Sequence, residues 1–381
     1  MRTLAPVMAV ITAAYVALGL SIPVIPLYVH EDLGFGPFAV GVVTGTQFAA
    51  ALLTRVWGGA YCDAHGGKQG IVVGLACAIA SGALSLASAA TAGMPMLSVA
   101  LLMAGRFLQG TAGSFIITGG MNWGLALLEG PHAGKVIAWI GMAMFASLAV
   151  GAPFGTALYA SGSFLATAIA SVIVPIAALA MVSMLRGGRP VSTAASGRVR
   201  DVAAAVLVPG LGSALSSVGY SSILAFGSLL FSERGWQPVW VGFSAYAGAL
   251  ILARIVFGRL PDRFGGAQMA SISLFVLVAG LAILGLATDT VTAVFGAALT
   301  GVGYSLVYPG FGAEVVRSVP PERRGVAMGL YTACNDVAQG LTTPLLGYLA
   351  GQTSVSFVFV VSAGIALTAL GPGLALMRRR T

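Results

Sequence analysis

Charged residues are scarce in this sequence, and their scarcity excludes a water-soluble protein. Lys, Arg, Asp and Glu make up 8% of the 381 residues, whereas a soluble domain carries about 25%. So few charges could not cover a water-exposed surface of this size. Hydrophobic residues make up 58% of the chain, and the mean hydropathy is +0.96. The composition therefore indicates an integral membrane protein.

Disulfide frameworks, metal-binding clusters and phosphate-binding loops are also lacking. The three cysteines, Cys62, Cys77 and Cys334, are odd in number and fall within or at the ends of predicted helices, so they predict neither disulfides nor a metal site. The sequence has no glycine-rich loop that ends in Lys and Ser or Thr, which excludes ATP-driven work by this chain itself. No nucleophile–base motif is found. We therefore expect no enzyme activity, no cofactor and no bound metal.

Long apolar stretches, in contrast, follow one another along the whole chain. A helix needs about 20 apolar residues to cross a bilayer. The first stretch, Leu4 to Val29, is too long for a signal-peptide core and contains three prolines, so we interpret it as a membrane helix. Breaks at charged or Pro/Gly-rich points predict twelve spans in an all-α fold: residues 4–29, 37–61, 69–91, 95–124, 134–160, 163–186, 202–231, 237–260, 268–288, 291–317, 324–350 and 353–377.

The one long polar connection lies near the midpoint and predicts two halves. We expect a six-helix half at residues 1–186, a cytoplasmic linker at 187–201 and a second six-helix half at 202–381. All of the Lys and Arg residues except Arg55, Arg106, Arg234 and Arg254 fall at the termini or at the even-numbered breaks between spans. This bias predicts that both termini are cytoplasmic. Cytoplasmic loops that face the anionic lipid bilayer explain the net charge of +8, so we expect no nucleic-acid partner.

Two segments about half the chain apart share one pattern. Arg55 precedes Asp63 by the same spacing as Arg254 precedes Asp262. Two unrelated helix ends would seldom match in this way, so the pattern predicts a parallel repeat of six-helix units with a substrate site between them. Glycines recur at corresponding places in the two segments, namely Gly59, Gly66 and Gly67 in the first and Gly258, Gly265 and Gly266 in the second.

The first of these segments resembles a signature of the major facilitator superfamily. Residues 59–68 (GAYCDAHGGK) are similar to the family's loop between helices 2 and 3, glycine-x-x-x-aspartate-arginine-x-glycine-arginine-lysine. Ala64 and Gly67 stand where the family has basic residues. In the second half Arg263 supplies the first of these bases, and Ala267 replaces the last. The departures indicate a weaker cluster in the amino-terminal half.

Further motifs extend the resemblance along the chain. Residues 106–110 (RFLQG) resemble the family's arginine-x-x-glutamine-glycine motif, and residues 151–155 (GAPFG) resemble the glycine–proline motif of its drug/proton antiporters. Stretches from YVHEDLGF (28–35) to YTACNDVAQG (331–340) resemble the YhhS-like, or arabinose-efflux-like, branch of bacterial transporters. The resemblance implies two pseudo-symmetric six-helix halves that work by alternating access, as a monomer in the bacterial inner membrane.

The resemblance also implies gating roles for the repeated segments. In the family this cluster latches the outward-facing state, which implies gating by Arg55, Asp63, Arg254, Asp262 and Arg263 together with Gly59, Gly66, Gly258 and Gly265. Pro153, in the glycine–proline motif, is implied to be a hinge or seal. Simple helix packing is the alternative for Pro153.

Two charged residues inside predicted spans are candidates for proton coupling. Charge within the membrane is by default either functional or tightly paired. Arg106 lies near the middle of span 4, where it could tune a proton site, hold an anionic group or clamp backbone carbonyls of a neighbouring helix. Asp336 lies in span 11 with Asn335 beside it and Gln339 on the same helical face. We interpret Asp336 as a proton or substrate group, with a structural carboxyl as the alternative.

A set of polar and aromatic residues is predicted to line a chamber for a small amphipathic solute. Each of them could instead be a packing or interfacial residue. The set comprises Tyr15, Gln47, Gln109, Asn122, Trp123, Tyr220, Tyr246, Tyr304, Tyr308, Tyr331, Asn335 and Gln339.

These patterns favour a secondary active transporter that exports a small molecule in exchange for protons. The first alternative is a sugar or organic-solute facilitator or proton symporter on the same fold. The second is a non-transporting membrane sensor, which would be expected to carry a soluble signalling domain or a long tail.

Overall fold

The structure, a computed structural model, describes residues 5–127, 133–185, 199–320 and 323–378. These residues are helical almost throughout. Most of the predicted linker at 187–201 lies outside the described residues, since the description resumes only at residue 199.

The first part of the chain forms a series of long helices. Pro23 and Pro26 lie where the first predicted span divides into two helices, because proline has no N–H to continue the helical hydrogen bonds. The elements are α1 (Ala5–Ser21), α2 (Val24–Leu27) with a π-helical turn at Tyr28–Asp32, α3 (Pro37–His65), α4 (Gly67–Ala90), α5 (Pro95–Leu127) and α6 (Ala133–Met184).

The second part continues in the same way. Asp289 begins α11, and its carboxylate accepts hydrogen bonds from the Thr292 backbone N–H at 2.9 Å and the Thr292 hydroxyl at 2.7 Å. These bonds hold the pKa of Asp289 below its usual range. The elements are α7 (Val199–Glu233), α8 (Val241–Phe257), α9 (Leu260–Phe264), α10 (Gly266–Leu286), α11 (Thr290–Arg317), α12 (Arg324–Gln352), α13 (Val355–Thr368) and α14 (Leu370–Arg378).

Nine helical segments among the described residues are long and apolar enough to cross a membrane. One of them, Ala143–Met184, has 42 residues, about twice the length that one crossing needs. Gly162 and Ser163 leave the helical conformation within it, at the predicted break between spans 5 and 6. The short α8 and the more polar α12 are not among the nine. The fold is therefore all-helical and membrane-spanning, and the count of twelve spans stays a prediction.

Contacts between residues divide the chain into two compact units. Unit 1 comprises Met1–Phe35 and Thr46–Ala194, and unit 2 comprises Gly36–Gly45 and Ala195–Thr381. Sequence reasoning did not anticipate that the first turns of α3 group with unit 2. The boundaries predicted at 1–186, 187–201 and 202–381 remain a prediction.

Helix crossings within each unit depend on glycine. In unit 1, a Cβ added to Gly110 on α5 would collide with the backbone carbonyl of Gln47 on α3. In unit 2, a Cβ on Gly301 of α11 would collide with the backbone carbonyl of Tyr246 on α8. Gln47 and Tyr246 are as far apart in sequence as Arg55 and Arg254. The two units therefore repeat one backbone crossing, and small residues make the close approach possible.

Candidate functional site

Helix α5 places Arg106 in the core of unit 1. Its side chain is 4% exposed, and its Nε is enclosed without a hydrogen-bond partner among the described residues. Among the described residues, the backbone clamp that was the alternative interpretation is not found at Arg106.

Three of the predicted chamber residues lie around the same face of α5. Gln109 is buried one turn after Arg106, and Gly110 contacts Gln47, whose side-chain Oε1 is enclosed without a partner. Tyr15 on α1 donates its hydroxyl to the Gly113 carbonyl at 3.5 Å, a long hydrogen bond. Residues 106, 109, 110 and 113 share one helical face, so unit 1 has a polar cluster that we define as Tyr15, Gln47, Arg106 and Gln109.

Asp336 lies in the core of unit 2 on α12. Asp336 is 7% exposed and its neighbour Asn335 is 3% exposed, and the Asn335 Oδ1 is enclosed without a partner among the described residues. Gln339 is buried one turn later. Asp336 lies within electrostatic range of Tyr304 of α11, which places it near the tyrosines of the neighbouring helices.

Five predicted tyrosines meet in unit 2. Tyr220 stacks on Tyr304, with the ring centroids 5.4 Å apart and an angle of 4° between the ring planes. The ring centroids of Tyr220 and Tyr246 are 6.3 Å apart. The Tyr331 hydroxyl donates to the Tyr308 carbonyl at 2.6 Å. The Tyr246 hydroxyl is enclosed without a hydrogen-bond partner. We call Tyr220, Tyr246, Tyr304, Tyr308 and Tyr331 the tyrosine cluster.

Arg254 lies beside this tyrosine cluster. Its Nη2 donates to the Ser305 carbonyl at 3.0 Å, and it lies within electrostatic range of Tyr246, Tyr304 and Tyr308. The family resemblance implied a gating role for Arg254, together with Arg55. The structure places Arg254 next to predicted chamber residues, and its gating role stays a prediction.

The aspartate predicted for gating in unit 1 pairs with a residue predicted for the chamber. Asn122 on α5 donates its side-chain amide to the Asp63 Oδ1 at 3.1 Å. Both side chains lie near the turn between α3 and α4. Asn122 therefore contacts the segment that is predicted to act in gating, and it is not among the residues around Arg106. Arg55 is half-buried. The side chain of Asp262, which corresponds to Asp63 in the repeat, lies outside the described residues.

The paired glycines begin helices in both units. Gly66 has φ +89° and Gly265 has φ +99°, a conformation that side chains disfavour. The next residue in each unit, Gly67 or Gly266, lies so close to a neighbouring helix that a Cβ would collide with a carbonyl. Of the remaining gating candidates, Arg263 is exposed, a Cβ on Gly59 would meet open space, and a Cβ on Gly258 would meet only the preceding turn of its own helix.

Two charged contacts at helix ends were missed by sequence reasoning. The buried Glu314 of α11 accepts a hydrogen bond from the Ala267 N–H at 2.8 Å, at the start of α10. Lys68 donates to the Leu185 carbonyl, just beyond α6. In unit 1 the position that corresponds to Glu314 is occupied by Trp123, a chamber candidate. Trp123 is 1% exposed, and its Nε1 has no hydrogen-bond partner among the described residues. The sequence signal for this correspondence was the glycine four residues earlier in each helix, Gly119 before Trp123 and Gly310 before Glu314.

The glycine–proline motif lies at the crossing of α1 and α6. A Cβ on Gly151 would collide with the backbone of Gly19, and a Cβ on Gly155 with the Leu20 carbonyl. Pro153 is half-buried between the two glycines. These contacts of Gly151 and Gly155 are packing contacts, and a hinge role for Pro153 stays a prediction.

The three cysteines are not part of these clusters. Cys62 is buried, Cys77 and Cys334 are partly buried, and all three are free thiols. Across the described ranges, no group of three or more His, Cys, Asp or Glu side chains is placed to hold a metal ion. The groups available for chemistry are therefore the arginines, Asp336, the amides and the tyrosines.

Comparison with known proteins decides the family. The sequence model of the Major Facilitator Superfamily matches residues 7–281 and 210–381. The chain belongs to the major facilitator superfamily. Its relatives in this superfamily include the uncharacterised MFS-type transporter STM4428 of Salmonella typhimurium strain LT2, which is 38% identical over 93% of this chain and 91% of its own length. The uncharacterised MFS-type transporter YhhS of Escherichia coli strain K12 is 34% identical over 94% of this chain and 88% of its own length.

Solved structures of the superfamily share the fold. The nucleoside transporter NupG, in a mutant form, has a TM-score of 0.78 at 15% identity and covers 98% of this chain and 99% of its own. The human organic anion transporter MFSD10 has a TM-score of 0.70 at 17% identity over 98% of this chain and 99% of its own. This chain is thus a multi-pass membrane transporter of small molecules and is not an enzyme. The predicted family and its YhhS-like resemblance are confirmed.

Proposed function

We propose that this transporter is a proton-coupled exporter of the bacterial inner membrane, with Asp336 as the group that carries the proton. The observation that supports this proposal is the burial of Asp336 and Asn335 on α12, with Tyr304 of α11 in electrostatic range. A carboxylate is costly inside a membrane protein, and a proton removes that cost. Asp336 can therefore exist in two forms whose energies depend strongly on their surroundings.

Coupling requires that these forms prefer different states of the transporter. A proton shifts a conformational equilibrium only through its differential affinity for the two states. The charged form of Asp336 would favour the state that offers it water or a donor, and the neutral form would favour the state that encloses it. Solute leaving in one state and protons entering in the other then gives antiport by alternating access.

The gating segments would set which state is open. Asp63, held by Asn122, would control the cytoplasmic side together with Arg55, and the repeated segment with Arg254 and Arg263 would do so in the other half. Because Ala64 replaces a base of the family signature, we expect the first cluster to latch less firmly. We propose further that the monomer is the working unit and that both termini are cytoplasmic.

Purified protein in liposomes with a pH-sensitive dye inside tests the proposal. Sugars, small acids and amphipathic amines are added in turn, with and without an imposed pH gradient. We expect at least one solute to move protons in the direction opposite to itself. The Asp336→Asn variant should lose this proton movement, whereas Asp289→Asn, at an exposed helix cap, should keep it.

Three outcomes would contradict the proposal in different ways. Solute movement that ignores the pH gradient would favour a facilitator, and protons that accompany the solute would favour a symporter. An Asp336→Asn variant that still couples would remove Asp336 from the mechanism while leaving antiport intact.

A further inference from the structure

Unit 1 contains a buried positive charge that its described residues do not balance. Arg106 is 4% exposed, and its Nε has no hydrogen-bond partner in the described part of the chain. An arginine in the centre of a membrane helix costs about 3 kcal/mol on insertion scales, and such a residue is by default a candidate for a functional site.

Two other arginines of this chain have partners, one within a helix and one just beyond a helix end. Arg254 on α8 donates to the Ser305 carbonyl at 3.0 Å. The exposed Arg234, just beyond α7, donates to the Ser356 hydroxyl at 2.9 Å and lies over the Trp236 ring. The absence of a partner at Arg106 is therefore a local property of this position.

The polar groups beside Arg106 can complete an anion site. Gln109 is buried on the same face of α5. The backbone of Gln47 contacts that face at Gly110. The side-chain Oε1 of Gln47 is enclosed and has no partner among the described residues. The guanidinium supplies charge and paired N–H donors, and the Gln47 oxygen can accept from a hydroxyl or amine on the same ligand.

The charge of the ligand follows from the charge of the site. Among the described side chains of unit 1, Arg106 is the one buried Arg or Lys, because Arg55 and Lys68 are half-buried. One buried positive charge balances one negative charge. A carboxylate meets this requirement and also fits the planar fork of a guanidinium.

We propose that Arg106, Gln47 and Gln109 bind the carboxylate end of a small organic acid, with Arg106 as its counter-charge. The acid as exported solute rests on the function proposed above. The binding step does not, because it requires no proton gradient and no participation of Asp336.

Thermal unfolding of the purified full-length protein tests the site with two matched pairs of probes, benzoate with benzamide and lactate with lactamide. A ligand that binds only the folded protein raises Tm as its concentration rises. We expect at least one carboxylate to raise Tm and its neutral amide to have no effect. In Arg106→Gln the shift should be lost, and in Arg106→Lys it should be reduced, because Lys keeps the charge without the fork.

Arg234→Gln is the control, because it removes an equal charge from an exposed arginine that has its own partners. The carboxylate shift should persist in this variant. An equal shift by the amides, a shift that survives in Arg106→Gln, or no shift with either acid would overturn the site. Because Arg106→Gln also removes an unbalanced charge, its ligand-free Tm should not fall, and a fall would indicate a structural role instead.

The two proposals fail separately. A carboxylate shift without solute-driven proton movement would leave the site and remove the coupling. Proton movement driven only by neutral solutes, without a carboxylate shift, would leave the coupling and remove the site.

Discussion

The surroundings of Arg106 in unit 1 and of Arg254 in unit 2 differ although the helices that frame them cross alike. In unit 2, Arg254 donates to a backbone carbonyl and lies beside tyrosine rings that stack on one another. In unit 1, the corresponding crossing brings Gln47 to Gly110, and one turn away the Arg106 Nε has no hydrogen-bond partner in the described ranges. The backbone repeats, and the side chains that fill it do not.

This difference shows how a duplicated scaffold can separate two tasks. The position that is Gln47 in unit 1 is Tyr246 in unit 2, so one crossing offers an amide where the other offers a ring. Unit 2 fills its interior with contacts between tyrosine rings. Among the described residues both units contain buried side-chain atoms without partners, including the Gln47 Oε1 in unit 1 and the Asn335 Oδ1 in unit 2. Arg106 is the charged residue among them, and its charge marks unit 1 as the unit in which we place an anionic ligand.

The largest expected effect tests whether the two crossings are equivalent. Gly110→Ala and Gly301→Ala should each lower the free energy of unfolding by at least about 3 kcal/mol, because a Cβ would collide with a backbone carbonyl that cannot move aside. Unfolding in mixed micelles measures both losses. Gly248→Ala is the control, because a Cβ there meets open space. A severe loss in only one unit would break the comparison.

The next effect tests the two arginines and should have opposite signs. Arg254→Gln should destabilise the protein by about 1–3 kcal/mol, because the Ser305 carbonyl loses a charged donor. Arg106→Gln should stabilise the ligand-free protein by up to about 3 kcal/mol, because it removes a buried charge without a partner. Thermal unfolding of the two variants side by side gives the signs. Destabilisation by both would make Arg106 a structural residue.

The smallest effect concerns the helix starts that differ between the units. Glu314→Gln should lower stability by about 1 kcal/mol, because the amide still accepts from the Ala267 N–H but without the charge. Glu314→Ala should cost more, because the N–H at the start of α10 would lose its partner. Exchange of the Ala267 amide hydrogen reports the contact directly. Glu31→Gln, at an exposed carboxylate, should leave both readouts unchanged.

Much of the fold could be predicted from the sequence because it depends on local patterns. Apolar length locates most of the spans, and the break near Gly162 was placed correctly between spans 5 and 6. The repeated glycines were recognised from the sequence, and in the structure Gly66 and Gly265 begin helices with positive φ. These features are set by residues next to one another in the chain, so a linear pattern carries them.

The candidate sites were predicted less well because they depend on which helices are neighbours. The spacing of Arg254 to Asp262 predicted a repeat, but it could not show that Arg254 would donate to Ser305 on another helix. From the sequence, Asn122 is one of several polar residues in a membrane span. The structure shows that it donates a hydrogen bond to Asp63. Glu314 was overlooked because the helix start that it contacts is 47 residues away in sequence.

The contact of α1 with α6 has a mechanical consequence. At Gly19, Gly151 and Gly155 the two helices touch through their main chains, with no side chain between them to change rotamer. Main chain is stiff, so neither helix can roll or slide past the other without a collision. At this contact, α1 and α6 should therefore move together as one rigid body during a transport cycle.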